Sequence, residues 1–359
     1  MATHERVFWA NVQRQLKIIL TMVPLCVFPI PLTVIVLIPS LIFRFIVLCI
    51  AKLFRSDLSH IFSGKAVLLA LESVHTRPKL NLVLHFVCDG PVPLDKLRAQ
   101  FEKRIVNCCD QKGDYVYRQL RQTWTQFCGF LFWRWDKEFD LDHHIRLYDY
   151  NDPELKLPAD ECTESDVRRV TGELVAKPWK EGRSPWEILV IHNFENKKAP
   201  GKTCSVVTLR IHHALADGYS ILKMMLRFVD VEDAAVPKPN FAKSPFLLRI
   251  LRPLALALKL PYDAAQFVIN SFDGPNSWHL VGKKLSRKYE VFYSDDIDVD
   301  KIKEIKREHG VSYNAAVYGI TAGAIREMML QTGQRLPTSL ACFVPIPLPR
   351  HPGGLLVHV

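Results

Sequence analysis

The sequence predicts an α/β protein carrying an N-terminal membrane segment, and three observations carry that prediction. Residues 18–43 form a run without a charged side chain. From about residue 60, stretches of alternating apolar residues take turns with stretches of helical spacing. The length, 359 residues, is enough for two lobes of ordinary size, each with its own core.

The uncharged run, IILTMVPLCVFPIPLTVIVLIPSLIF, would reach roughly 39 Å as one helix, against a hydrocarbon core of about 30 Å. The apolar region of a cleaved signal peptide is shorter, about 7–15 residues, so the run reads as a membrane anchor. Pro24, Pro29, Pro31 and Pro39 interrupt it, and each removes a backbone donor and bends a helix. The flanks are basic on both sides, with Arg6, Arg14 and Lys17 before and Arg44, Lys52 and Arg55 after. Charge bias therefore leaves the orientation open. One kinked span and a re-entrant hairpin with both ends in the cytosol fit equally.

Residues 80–87 alternate as a strand before an Asp89-Gly90-Pro91 turn, and 93–106 follow with helical spacing after a proline start. Residues 186–192 and 204–211 read as two further strands, the second running directly into HHALADG at 212–218. A helix from Ser220 to Asp230 follows. Within a connector over 231–285, residues 244–260 carry Arg249, Arg252 and Lys259 among apolar residues and no acid. Such a helix either lies on a membrane surface or packs its apolar side between lobes. After residue 286, 289–296 is a candidate strand. Residues 298–310 and 311–333 are candidate helices ending at Gly310 and Gly333, and 339–348 is a last candidate strand. The plan is an anchor over 1–59, a first lobe over 60–230, the connector, and a partial second lobe over 286–359.

A net charge of +10 and a pI near 9.1 favour anionic partners. No nucleic-acid-binding motif and no concentrated Lys/Arg block accompany that charge, so nucleic acid is not an expected partner. Nine cysteines are scattered without C-x-x-C spacing, which reads as reduced thiols on the cytosolic side with no metal site.

HHALADG is the chemistry-bearing segment. Acyl transfer to an alcohol needs a base of near-neutral pKa within hydrogen-bond reach of the hydroxyl and shielded from solvent. His213, placed after a buried strand, meets those needs. Asp217, four residues on, would brace the backbone, and Gly218 would permit a sharp turn or a close approach. Ala214 and Ala216 would leave room for a channel. By residue type alone a structural histidine pair fits as well, whereas a metal site lacks a third or fourth ligand nearby. No G-x-S-x-G nucleophile segment occurs.

HHALADG resembles the HHxxxDG signature of the chloramphenicol acetyltransferase-like superfamily, which includes condensation domains and the wax ester synthase/diacylglycerol acyltransferase family. Pro185-Trp186-Glu187 resembles the PLWE segment of the latter family, with Ser184 where leucine is usual. FDLDHHIR (Phe139 to Arg146) resembles its segment of acidic and histidine residues. Residues 311–333 resemble its second-lobe helix that begins Asn-Asp; Asn314 matches and Ala315 replaces the acid. The likeness covers roughly residues 60–348.

The resemblance implies a two-lobed chloramphenicol acetyltransferase-like, condensation-domain-like fold. It also implies a membrane-bound enzyme that moves a fatty acyl group from acyl-CoA to diacylglycerol or a long-chain alcohol in a ternary complex, with no bound cofactor. His213 would be the general base, His212 would shape the channel, and Asp217 would be structural and paired to an arginine. Pro185 and Trp186 would line or buttress a substrate tunnel, or pack in the core. Asn314 would position substrate or cap its helix, and His143 and His144 fit a solvated turn. Family members usually have a complete second lobe, so the second lobe here is expected to be truncated, which makes an inactive membrane-anchored lipid-binding or regulatory form the alternative. His212 and Asp217 also satisfy the H-x-x-x-x-D pattern of glycerol-phosphate acyltransferases, but the later Glu-Gly-Thr-Arg-like motif of that family is missing. Membrane lipid and a second copy of the chain complete the expected partners. The expected location is the endoplasmic reticulum membrane with the lobe facing the cytosol, ahead of plasma membrane and lipid droplet.

Overall fold

The computed structural model describes residues 2–231, 246–270, 286, 288–337, 340, 342 and 344. In chain order its helices and strands are α1 (Ala2–Val27), α2 (Pro29–Phe54), β1 (Leu58–Ile61), α3 (Gly64–Ala70), β2 (Asn81–Asp89) and α4 (Leu94–Phe101). There follow β3 (Gln122–Phe127), β4 (Phe130–Trp135), α5 (Leu141–His144), β5 (Ile145–Leu147), α6 (Glu164–Ala176), β6 (Trp186–Glu195) and β7 (Thr203–His212). The last are α7 (Gly218–Phe228), α8 (Phe246–Asn270), α9 (Val299–Glu308) and α10 (Tyr313–Gln331). These elements fall into two units. One holds α1, α2 up to Phe43, α8, α9 and α10; the other holds everything from Arg44 through α7 and a short segment around Tyr289.

The second unit is built on a mixed sheet of order β2-β7-β6-β5. β7 pairs antiparallel with β2 and β6, and β5 joins β6 in parallel. Residues 204–212 of β7 are all buried, as expected of a strand covered on both faces. On one face Ile188, Val190, Val207, Leu209 and Ile211 pack with Leu97 and Phe101 of α4 and Ile221 and Met224 of α7. On the other, Leu189 packs with Val170 and Leu174 of α6. A capping box starts α6: Thr163 Oγ1 accepts the Asp166 N–H, and the Asp166 carboxylate accepts the Thr163 N–H. A smaller antiparallel sheet, β1-β4-β3, completes this unit.

The candidate strand at 289–296 is not one: residues 288–298 carry no regular secondary structure. The Tyr289 backbone lies so close to α6 that a Cβ at Gly172 would overlap the Tyr289 carbonyl, so glycine there admits the chain. The segment predicted helical over 93–106 leaves α-geometry at Phe101 and ends in a π turn over Glu102–Val106. The strand predicted over 339–348 and the tail after it lie outside the described residues, apart from isolated positions.

In the first unit, the uncharged run is carried by α1 and the first half of α2. Phe28 N–H bonds to the Pro24 carbonyl at 3.0 Å and Leu32 N–H to the Phe28 carbonyl at 3.1 Å. The helical ladder thus passes through the junction, where Pro29 and Pro31 omit their own donors. A chain reversal at this point would break both bonds, so the chain does not form a hairpin there. Among the described residues, Pro31–Phe54 is one helix of 24 residues with the length and composition to cross a bilayer. α8, which extends past the predicted 244–260 to Asn270, packs on α1: Tyr262 Oη donates to Gln15 Oε1 at 2.9 Å, and Ile18 and Ala265 are fully buried.

Candidate active site

The end of β7 delivers two adjacent histidines into different surroundings. His212 is completely buried. Its Nδ1 accepts the Ala214 N–H at 3.1 Å, so the ring proton sits on Nε2, which donates to Glu72 Oε1 at 2.7 Å. Burial holds His212 below the ordinary histidine pKa, partly offset by the hydrogen bond to Glu72. Glu72 has further work: its two oxygens accept the backbone N–H groups of Lys79 (2.7 Å) and Leu80 (3.0 Å). Leu80 in turn accepts the His213 N–H at 2.8 Å. A single carboxylate thus ties the 72–80 turn to the end of β7.

His213 is half-buried, and its Nδ1 lies 3.0 Å from the Ala216 carbonyl oxygen. A carbonyl can only accept, so Nδ1 carries the proton. In the neutral ring, Nε2 then presents a lone pair. Asp217 caps α7, its Oδ1 accepting the Ser220 N–H at 2.8 Å. The cap fixes the turn that holds Ala216 O under the His213 ring.

Three sequence expectations change here. Ala214 and Ala216 are packed in the hydrophobic core, at 1% and 0% exposure, and do not face a channel. Gly218 is the first residue of α7, outside the left-handed region, with open space where a Cβ would stand. It makes no sharp turn and receives no close approach from the described residues. Asn314 stands exposed in the first turn of α10, while Ser312 caps that helix by accepting the Ala315 N–H at 3.1 Å. Asn314 therefore does not cap it. It belongs to the unit that does not contain His213.

Pro185 and Trp186 are buried directly behind the histidines. The Pro185 carbonyl accepts the His212 N–H at 3.0 Å. Trp186 is 1% exposed, and its Nε1 donates to the Leu120 carbonyl at 2.7 Å. His144 stacks on the Trp186 ring at 4.4 Å between centroids and bonds the Trp186 carbonyl through Nδ1 at 2.7 Å. The solvated-turn expectation thus fits the half-exposed His143 but fails for His144, which belongs to the core.

A second polar cluster lies on the same strand pair. Arg210, 1% exposed, donates to Glu187 Oε1 at 2.9 Å and to the Leu174 carbonyl at 2.8 Å, and also reaches the Lys177 carbonyl. Its guanidinium lies over the Trp179 ring at 3.8 Å. Glu187 also accepts from Arg146 (2.7 Å) and Tyr150 Oη (2.9 Å). Burial and the Glu187 charge raise the Tyr150 pKa, so that hydroxyl stays a donor. A pocket of about 460 Å³ opens on this cluster, with Lys177, Lys180, Arg183 and Trp179 in its wall. Neither Glu72 nor the Arg210–Glu187 pair was identified from sequence. A charged residue near one end of each of two apolar strands was the available signal for that pair, because a buried charge needs a partner. Glu72 offered none.

Residues 66–277 match the family model for the wax ester synthase/diacylglycerol acyltransferase catalytic domain. The chain belongs to that family. A protein of Mycobacterium tuberculosis named as a diacylglycerol O-acyltransferase is 25% identical over 244 residues, which is 60% of this chain and 44% of that protein. A second M. tuberculosis protein of that name is 26% identical over 238 residues, 60% of this chain and 49% of its own length. The chain thus spans about half the length of the curated relatives it matches. Among solved structures, a wax ester synthase/diacylglycerol acyltransferase from Marinobacter aquaeolei VT8 aligns over 77% of this chain and 61% of its own, with a TM-score of 0.46 and 14% identity.

Proposed function

We propose that this chain is an O-acyltransferase acting at a membrane, transferring a fatty acyl group from acyl-CoA to a lipid alcohol, either diacylglycerol or a long-chain alcohol. The observation that carries the reading is the committed tautomer of His213. Its Nδ1 proton is held by the Ala216 carbonyl at 3.0 Å, which leaves Nε2 as the ring's proton acceptor. In the reaction, Nε2 takes the proton of the acceptor hydroxyl as its oxygen attacks the thioester carbonyl. The tetrahedral intermediate collapses with cleavage of the C–S bond, and the departing CoA sulfur takes the proton back from Nε2. No acyl-enzyme forms and no metal or bound cofactor takes part. His212 orients the turn through Glu72, Asp217 holds it through the α7 cap, and Pro185 and Trp186 support it from behind. The architecture is the two-lobed one the resemblance implies, with the uncharged run as the anchor and the endoplasmic reticulum membrane as the location.

The test uses the full chain in vesicles, labelled oleoyl-CoA, and diacylglycerol or hexadecanol as acceptor. Wild type forms the corresponding ester, and His213→Ala lowers the rate by about 10²–10⁴-fold, the usual worth of a positioned base. Ester formation by His213→Ala at the wild-type rate would overturn the assignment.

A further inference from the structure

α2 changes character at Arg44, where the uncharged run ends. From there to its end the helix has two opposed faces. Arg44, Val47, Leu48, Ala51 and Arg55 follow one stripe at helical spacing, and this stripe meets the β3–β4 hairpin. Val47 and Ala51 are buried with Phe132, and Leu48 packs beside them. The Arg44 guanidinium sits 5.8 Å from the Phe130 ring centre, and that of Arg55 sits 5.1 Å from Phe127. The opposite stripe is Phe45, Ile46, Cys49, Ile50, Leu53 and Phe54. Phe45, Leu53 and Phe54 are 67%, 74% and 77% exposed, and Cys49 is exposed among them.

A helix that is apolar all round belongs in a core or a membrane. Among the described residues, protein covers one side of this one. What covers the other is indicated by the helix itself, because the stripe continues from the part of Pro31–Phe54 that is long and apolar enough for a bilayer. Lys52, exposed beyond the end of the uncharged run, adds a cation suited to lipid phosphates, while Arg55 is paired with Asp57 at 2.8 Å. Two charges inside Pro31–Phe54 argue against hydrocarbon on every side as far as Phe54.

We infer that residues 44–54 form the shallow end of an oblique membrane helix, with the outward stripe among acyl chains just below the headgroups and the inward stripe on the β3–β4 hairpin. The small sheet β1-β4-β3 is thereby held against the bilayer surface. This rests on the membrane reading above and goes beyond it by fixing which face of the lobe meets lipid. The occupant is a bilayer with anionic headgroups.

Three full-length versions with one cysteine each, Cys26, Cys49 or Cys109, test it. Each is labelled with an environment-sensitive fluorophore and reconstituted in phosphatidylcholine–phosphatidylserine vesicles that carry nitroxides at shallow or deep acyl positions. Cys49 is expected to be quenched several-fold more by the shallow nitroxide. Cys109, exposed on the same unit and outside this helix in sequence, is expected to be quenched less than Cys49 and to react with a membrane-impermeant maleimide. Stronger quenching of Cys49 by the deep nitroxide would mean a straight span through Phe54 and would overturn the inference. So would full maleimide reactivity of Cys49 while Cys26 is shielded, a result that leaves the anchor standing without the docked face. If vesicles retain none of the chain and Cys26 also reacts, the membrane reading itself fails.

Discussion

His212–His213 and Arg210–Glu187 lie at the end of β7 and on the paired end of its neighbour β6, yet they spend their polar atoms differently. In the Arg210–Glu187 cluster each charge is answered inside the protein: the guanidinium by Glu187, two carbonyls and the Trp179 face, and the carboxylate by two arginines and a tyrosine. At the histidines the commitment is graded. His212 gives both ring nitrogens to the protein, whereas the Nδ1 of His213 is committed to the turn that carries it. A cluster closed on itself serves the fold, and a histidine whose tautomer is set by its own turn is suited to proton transfer.

The largest effect that would sharpen this contrast is catalytic. His213→Ala should lower ester formation about 10²–10⁴-fold with little change in the urea midpoint, while His212→Ala should lower the midpoint itself. Equal loss of stability in the two variants would erase the distinction. Next comes Glu187→Ala, which leaves Arg210 buried without its counter-charge. It should cost about 3–5 kcal/mol in urea unfolding, and a cost below about 1 kcal/mol would show that the pair is not buried in solution.

Acid should act on the fold through His85. Thr171 gives its hydroxyl proton to the Val167 carbonyl at 2.6 Å, so it accepts from His85 Nε2 at 2.8 Å, and Thr208 then donates to Nδ1 at 2.9 Å. The ring is held neutral, and burial takes its pKa down to about 4. An unfolded histidine protonates near 6.5. As pH falls from about 6.5 toward 4, the unfolded chain binds a proton that the folded chain refuses, and stability declines. Above about pH 7.5 the group contributes no slope. His85→Gln should therefore lose less stability than wild type between pH 7.5 and 4.5, by roughly 2 kcal/mol; parallel pH profiles would remove His85 as the cause. The smallest effect is that of Asp217→Ala, about 1 kcal/mol for a lost N-cap. A larger loss of activity than of stability in that variant would tie the cap to the His213 geometry.

How much of this was legible follows from how local each feature is. Residues 186–192 and 204–211 declare β6 and β7, because a strand covered on both faces must be written as a continuous apolar run. The histidine pair was legible for a similar reason, since the strand, the turn and the Asp217 cap are contiguous. The His213 tautomer was not, because it depends on where the Ala216 carbonyl points after the turn closes. Glu72 was out of reach of any local pattern, as its partner lies 140 residues away. Residues 289–296 misled in the opposite direction: their alternation fits a strand, but the chain there rests on α6 at Gly172. In the first unit, Ser312 takes the cap that Asn314 could have held, a difference of two residues within the usual uncertainty of a helix start.

The bond between Glu72 and His212 has a consequence for how the molecule comes together. Closing 140 residues of chain costs on the order of 4 kcal/mol in loop entropy. The turn that carries His213 gains its second tether only after that cost is met. Synthesis of the chain through residue 218 supplies both partners, but a lobe in which residues 72 and 212 have not yet met lacks this tether. The order of the turn that carries His213 is thus coupled to the finished fold of the lobe.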